Sequence, residues 1–152
     1  MNESNKVAVL SIGPMDTYQA GLAAILQQSS WLTGTVSRGQ VKFCQVSDEA
    51  VGLLRSCPVP IVLCDSAAGW REVLDEFRSI PHPPALIVTS RIADDRLWSE
   101  ALNLGAYDVL AKPYQPDEVV RVLDLAWLRW AETRSAGAQK ARCTPRQLAI
   151  PA

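Results

Sequence analysis

Short apolar runs without polar interruption, each followed by a segment of helical periodicity, constrain this chain more than any other feature of its sequence. Val7-Ala8-Val9-Leu10 is apolar at every position, so a strand here has to be covered on both faces. Gly13-Pro14 ends it. Asp16 with Gln19 three residues on has the form of a capping box, and Ala20, Leu22, Ala23, Ile25 and Leu26 follow as the apolar stripe of a helix that stops at Ser29-Ser30. The pattern then repeats. A strand is expected over 41–44, a helix over 49–55 capped by Asp48 and turning Val51, Leu53 and Leu54 inward, and a third strand over 59–64 after the stop imposed by Pro58 and Pro60. A helix over 69–80, a strand over 85–89, a helix from Asp94 or Asp95 to Leu104 closed by Gly105, a strand over 107–111 and a last helix from Pro116 to about residue 130 complete five units. Parallel strands need a covering helix at each crossover. The expected fold is therefore α/β, a doubly wound five-stranded parallel sheet with helices on both faces.

Composition agrees with one such domain. The chain has 152 residues, 48% hydrophobic and 20% charged, enough to bury roughly two thirds of the unfolded surface at this size. No apolar run approaches the ~20 residues of a membrane span, and the first is shorter than a signal-peptide core, so a cytoplasmic location is expected. Cys44, Cys57, Cys64 and Cys143 form no CxxC pair and only one histidine, His82, accompanies them, which argues against a zinc site or a disulfide framework. Cys44 and Cys64 fall in apolar runs and read as buried free thiols. His82, within Pro81-His82-Pro83-Pro84, reads as a surface loop residue, since no Ser, Cys or carboxylate stands at a spacing that would make it a base. Charge is uneven: residues 131–152 carry Arg134, Lys140, Arg142 and Arg146 against Glu132, or +3, which leaves −4 on residues 1–130 of the net −1. This basic tail is read as a solvated linker or a helix extension beyond the domain edge.

Doubly wound sheets bind ligands at the carboxyl ends of their strands. Those positions are held by Ser11 and Ile12, by Asp65, by Thr89 and Ser90, and by Lys112. A carboxylate, a hydroxyl and an ammonium at one edge suit a phosphoryl group, whose oxygens need donors and positive charge around them.

Leu63-Cys64-Asp65, Val88-Thr89-Ser90 and above all Gly105-Ala106-Tyr107-Asp108-Val109-Leu110-Ala111-Lys112-Pro113 resemble the receiver domain of bacterial two-component response regulators, across residues 5–130. The resemblance implies a flavodoxin-like, receiver-like fold and a phosphorelay setting. It implies Asp65 as phosphoacceptor, Thr89 and Lys112 as the groups that contact the phosphoryl oxygens, and a cis Lys112-Pro113 bond. It also implies a histidine kinase or other signalling protein as partner, with a homodimer or partner surface on the fourth helix, fifth strand and last helix.

Three departures bear on mechanism. Receivers hold Mg²⁺ with two adjacent carboxylates after the first strand, and alignment on Pro14 puts Ser11 and Ile12 there. Magnesium demands oxygen ligands in near-octahedral array, so Asp65 without that pair implies weak or absent metal binding. Carboxylates restored at 11 and 12 are expected to raise Mg²⁺ affinity. Asp16 could substitute, but its context makes it a helix cap first. The loop Ser66-Ala67-Ala68-Gly69-Trp70 is shorter than the family's and lacks its proline. Val109 stands at the switch position where receivers carry Tyr or Phe, and Tyr107 shares its strand face one pleat too early.

Three readings of function remain. The first is a degenerate receiver that works through protein–protein contacts, with Asp65 and Lys112 as a static ion pair and Thr89 bonded to backbone. The second is a working phosphoacceptor taking a phosphoryl group from a histidine kinase onto Asp65. The third is a small doubly wound cofactor binder, for which no glycine-rich phosphate loop is found. Neither of the first two is an enzyme turning over a free substrate. Trp127 and Trp130, three apart, share a helix face with Leu123 and read as a core stripe, or as partner surface where exposed. Thr144-Pro145-Arg146-Gln147-Leu148-Ala149 resembles the opening of a helix-turn-helix output domain. Such a domain needs several dozen further residues, so neither a recognition helix nor DNA binding is expected of this chain.

Overall fold

In chain order the computed structural model forms β1 (Val7–Ile12), α1 (Thr17–Gln28), β2 (Gln40–Cys44), α2 (Ser47–Ser56), β3 (Ile61–Asp65), α3 (Trp70–Glu76), β4 (Ala85–Ser90), α4 (Asp95–Leu104), β5 (Asp108–Ala111) and α5 (Pro116–Ala149). It describes residues 7–28, 40–45, 47–56 and 58–149, and of the last stretch the side chains only as far as residue 133. Ser29-Ser30, Trp31, Cys57 and the side chains of the basic tail lie outside the described residues.

The strands are all parallel and ordered β2-β1-β3-β4-β5. Chain order and spatial order diverge at β1, so the carboxyl edge near β1 and β3 is where a doubly wound sheet opens a crevice. Two cores flank the sheet. Leu10, Ile12, Val62, Cys64, Val88 and Val109 face one, under α2, α3 and α4, while Val9, Leu63, Ile87 and Leu110 face the other with Leu22, Leu26 and Leu123 of α1 and α5. That alternation along fully buried strands is why β1 and β3 read as unbroken apolar runs.

Local signals explain most boundaries. The Asp16 carboxylate accepts from the backbone N–H groups of Tyr18 (3.0 Å) and Gln19 (3.1 Å), capping α1. Gln19 does not complete the box as expected; it turns inward to accept from Ser11 Oγ at 2.7 Å. Asp94, not Asp95, caps α4 by accepting from Leu97 N at 3.0 Å, and Gly105 closes that helix at φ 113°, a conformation costly for any residue with a Cβ. Four expectations need correction. Asp48 does not cap α2 but lies in its first turn, since the helix begins at Ser47. The 69–80 helix is α only to Glu76 and finishes as a 3₁₀ turn at Phe77–Ser79. Tyr107 precedes β5 and packs with the α1/α5 core, whereas Val109 lies in the other, so the two do not share a face. The last helix does not stop near Trp130 but continues to Ala149.

Candidate functional site

β3 ends on Asp65 and β4 pairs with it in register, Asp65 opposite Thr89, so the carboxylate and the hydroxyl arrive side by side. Lys112 follows β5 directly, its backbone N–H donating to Ser90 O at 2.8 Å, and the Lys112-Pro113 bond is cis, as the resemblance implies. This tether brings the Lys112 ammonium onto Asp65 Oδ2, an ion pair across 47 residues of sequence. The pair is buried: the side chains of Lys112 and Asp65 are 6% and 14% exposed. The sheet edge thus unites Asp65, Thr89 and Lys112, three residues singled out in the sequence.

The second carboxylate oxygen is also engaged. Asp65 Oδ1 accepts from Ala67 N at 2.9 Å, and Asp65 O accepts from Ala68 N at 2.9 Å, so the short 66–69 loop closes back on the residue it leaves. Gly69 makes this turn possible at φ 77°, ψ 42° before α3 begins.

Ser11 and Ile12 are not placed as a ligand pair. Ser11 is 3% exposed and donates to Gln19; Ile12 is 1% exposed and points into the core under α2 and α3. The residue beside Asp65 is Gly13, because Ile12 pairs with Cys64; a Cβ on Gly13 would stand 3.0 Å from the Asp65 Cβ. Asp16 is engaged as a cap. Tested against a magnesium ion, these donors fall short: one carboxylate is paired with an ammonium, and among the described residues the other nearby carboxylate, Asp16, spends its Oδ1 on the cap of α1. Among the described residues no group of three or more His, Cys, Asp or Glu side chains could hold a metal.

Two tyrosines complete the site without having been foreseen. The Lys112 ammonium lies 5.0 Å from the Tyr18 ring centroid, a cation–π contact over the ion pair. Burial pushes the Tyr114 phenol up to about 12, with the neighbouring Thr89 hydroxyl pulling the other way and the charges of Asp65 and Asp16 adding to the rise. Tyr114 follows the Lys112-Pro113 step by one residue, which was the available signal. Cys64, behind Asp65, has its thiol pushed up to about 12 by burial first and by the Asp65 and Glu72 charges next. The rise disfavours the nucleophilic thiolate, and with Cys44 it is a buried free thiol as expected. His82 is a loop residue, as expected, and it is half-buried and pinned between loop and helix. Val109 is 4% exposed in the core and does not reach Asp65's edge.

No protein-family model and no curated protein matches the chain. Solved structures do. It is similar to the signal receiver domain of an HD domain-containing protein from Pseudomonas fluorescens Pf-5, with TM-score 0.70 and 18% identity over 86% of this chain and 93% of that one. The receiver domain of a Luxo repressor protein from Vibrio parahaemolyticus matches with TM-score 0.68 and 16% identity, over 86% and 97% of the two chains. A response regulator from Thermotoga maritima matches with TM-score 0.61 and 20% identity, over 80% and 98%. The chain has the fold of the response-regulator receiver domain.

Proposed function

We propose that this chain is a two-component signalling domain that works through protein–protein contacts, with Asp65 held by Lys112 in a static pair in place of Mg²⁺-dependent phosphorylation. The observation that carries the reading is the buried Asp65–Lys112 pair with Ser11, Ile12 and Gly13 where a second and third carboxylate would be needed. A phosphoryl group adds negative charge beside Asp65, and a single ammonium with no metal leaves that charge under-compensated in a mostly buried site.

The contact surface belongs to α4, β5 and α5. Trp98, Leu102 and Leu104 on α4, and Leu125 and Leu128 on α5, are large apolar side chains that stay exposed, and such aromatic and aliphatic groups supply interface energy. Its partner is a histidine kinase, another signalling protein or a second copy of this chain. We assign the domain no turnover of a free substrate and a cytoplasmic location. Among the described residues no helix is long and apolar enough to cross a membrane. Residues 131–152 are assigned to the connection out of the domain.

A second reading is favoured by one observation, the convergence of Asp65, Thr89 and Lys112 at a single sheet edge. In that reading Asp65 attacks phosphorus and displaces the kinase imidazole, forming an acyl phosphate. Beryllium fluoride with Mg²⁺, a phosphoryl mimic, separates the two. Unchanged backbone amide spectra support the static pair; saturable shifts at Asp65, Thr89 and Lys112, abolished by Asp65→Asn, support the phosphoacceptor.

A further inference from the structure

The outward face of α5 carries Arg121, Leu125, Leu128 and Glu132 on one line. Steps of 4, 3 and 4 residues separate them, the spacing that keeps side chains on a single stripe of a helix. All four are exposed, whereas Val119, Val122, Leu123, Ala126 and Trp130 of the same helix are buried. The stripe therefore points away from the sheet.

Leu125 and Leu128 are 48% and 54% exposed. Two leucines left half in water, with a charge one turn beyond each, have the layout of a contact patch, apolar at its centre and polar at its ends. Among the described residues neither Arg121 nor Glu132 forms an ion pair within the chain, so both charges are open to a partner.

The order of the four residues selects that partner. Their spacing reads the same from either end, and reversal exchanges Arg121 with Glu132 and Leu125 with Leu128. A second α5 laid antiparallel along the stripe, about a twofold axis at its centre, sets Leu125 of each copy against Leu128 of the other and Arg121 of each against Glu132 of the other. A parallel copy would set arginine on arginine and glutamate on glutamate. A patch complementary to its own reverse is what an isologous contact requires, since the same surface serves both copies.

We propose that two copies of this chain pair through antiparallel α5 helices, with the four leucines as the centre and two Arg121–Glu132 pairs as the ends. The proposal rests on the reading of α4, β5 and α5 as a contact surface and names the occupant of its α5 part. Four half-exposed leucines make a small apolar centre, so the pairing is weak and depends on concentration. Neither Asp65 nor Lys112 takes part in it.

Sedimentation equilibrium of the full chain between about 1 μM and about 1 mM measures the pairing. The unaltered chain should pass from monomer to dimer within that range. Arg121→Glu and Glu132→Arg should each weaken the dimer about tenfold, because each turns two contacts of unlike charge into two of like charge. Mixing the two variants should restore it, since the mixed dimer again opposes unlike charges at both ends. Leu128→Lys should abolish it. Each of these side chains is exposed, so the replacements leave the core intact. A monomer throughout the range, single charge variants that pair as tightly as the unaltered chain, or a mixture no tighter than its components would each overturn the proposal. A dimer weakened by Leu102→Ser on α4 and untouched by the α5 changes would overturn it too, while leaving the wider contact surface standing.

Discussion

Replacing Lys112 with Met removes one charge from the Asp65 pair while keeping the apolar stem that packs at the sheet edge. What remains is a carboxylate whose side chain is 14% exposed, with one hydrogen bond left, from Ala67 N. Stranding one member of a buried pair costs about 3–5 kcal/mol; the surviving hydrogen bond and the residual exposure place this case near 3 kcal/mol. For a chain of this length that corresponds to a fall in Tm of about 6–12 °C. Asp65→Asn should cost a similar amount, because the Lys112 ammonium, 6% exposed, loses its counter-charge and keeps the Tyr18 ring beside it. Removing both charges together should cost less than the sum of the single losses by about 2 kcal/mol, since the double variant buries no lone charge. Urea unfolding followed by circular dichroism gives all three values. Losses below about 1 kcal/mol that simply add would mark the pair as solvent-screened and refute the reasoning.

Further outcomes follow from the same geometry. Ser11→Asp with Ile12→Asp, which the sequence alone marks as a route to Mg²⁺ binding, should lose at least about 4 kcal/mol, because position 12 opens into the core and position 11 onto Gln19; a folded double variant with raised Mg²⁺ affinity by calorimetry contradicts the placement. Val109→Ala should cost about 1 to 2 kcal/mol through lost packing alone, with amide shifts limited to its neighbours; changes reaching Asp65 would show coupling. Cys64 and Tyr114 both rise to about 12 in the folded chain, from ordinary values of 9.0 and 10.0, with burial the leading cause. The folded state therefore holds more protons than the unfolded one between pH 9 and 12, and stability present in full below that window falls as pH rises through it. Urea midpoints on either side of pH 9 read this directly, and an unchanged midpoint contradicts it.

The sheet was legible because buried parallel strands leave a period of their own: 7–10, 41–44, 59–64, 85–89 and 107–111 each fall within two residues of an observed strand. Boundaries slipped where a residue is buried without being in the ladder. Val59 and Pro60 are both buried, yet β3 starts at Ile61, since Pro60 has no N–H to donate. Asp65, Thr89 and Lys112 could be found because each lies at the carboxyl end of a strand or directly after it. Tyr18 and Gln19 could not, because their roles depend on α1 swinging over the edge of β1, a tertiary approach that local spacing does not encode. The same holds for Gly13, which reaches Asp65 through the pairing of Ile12 with Cys64, and for His82, joined to Trp130 across 48 residues.

Intact-mass analysis after incubation with acetyl phosphate and excess Mg²⁺, with Asp65→Asn alongside, tests the static pair most directly. An unmodified mass for both folded proteins is the predicted result. A single phosphoryl adduct on the unaltered chain, missing from Asp65→Asn, would contradict it and make Asp65 a working phosphoacceptor.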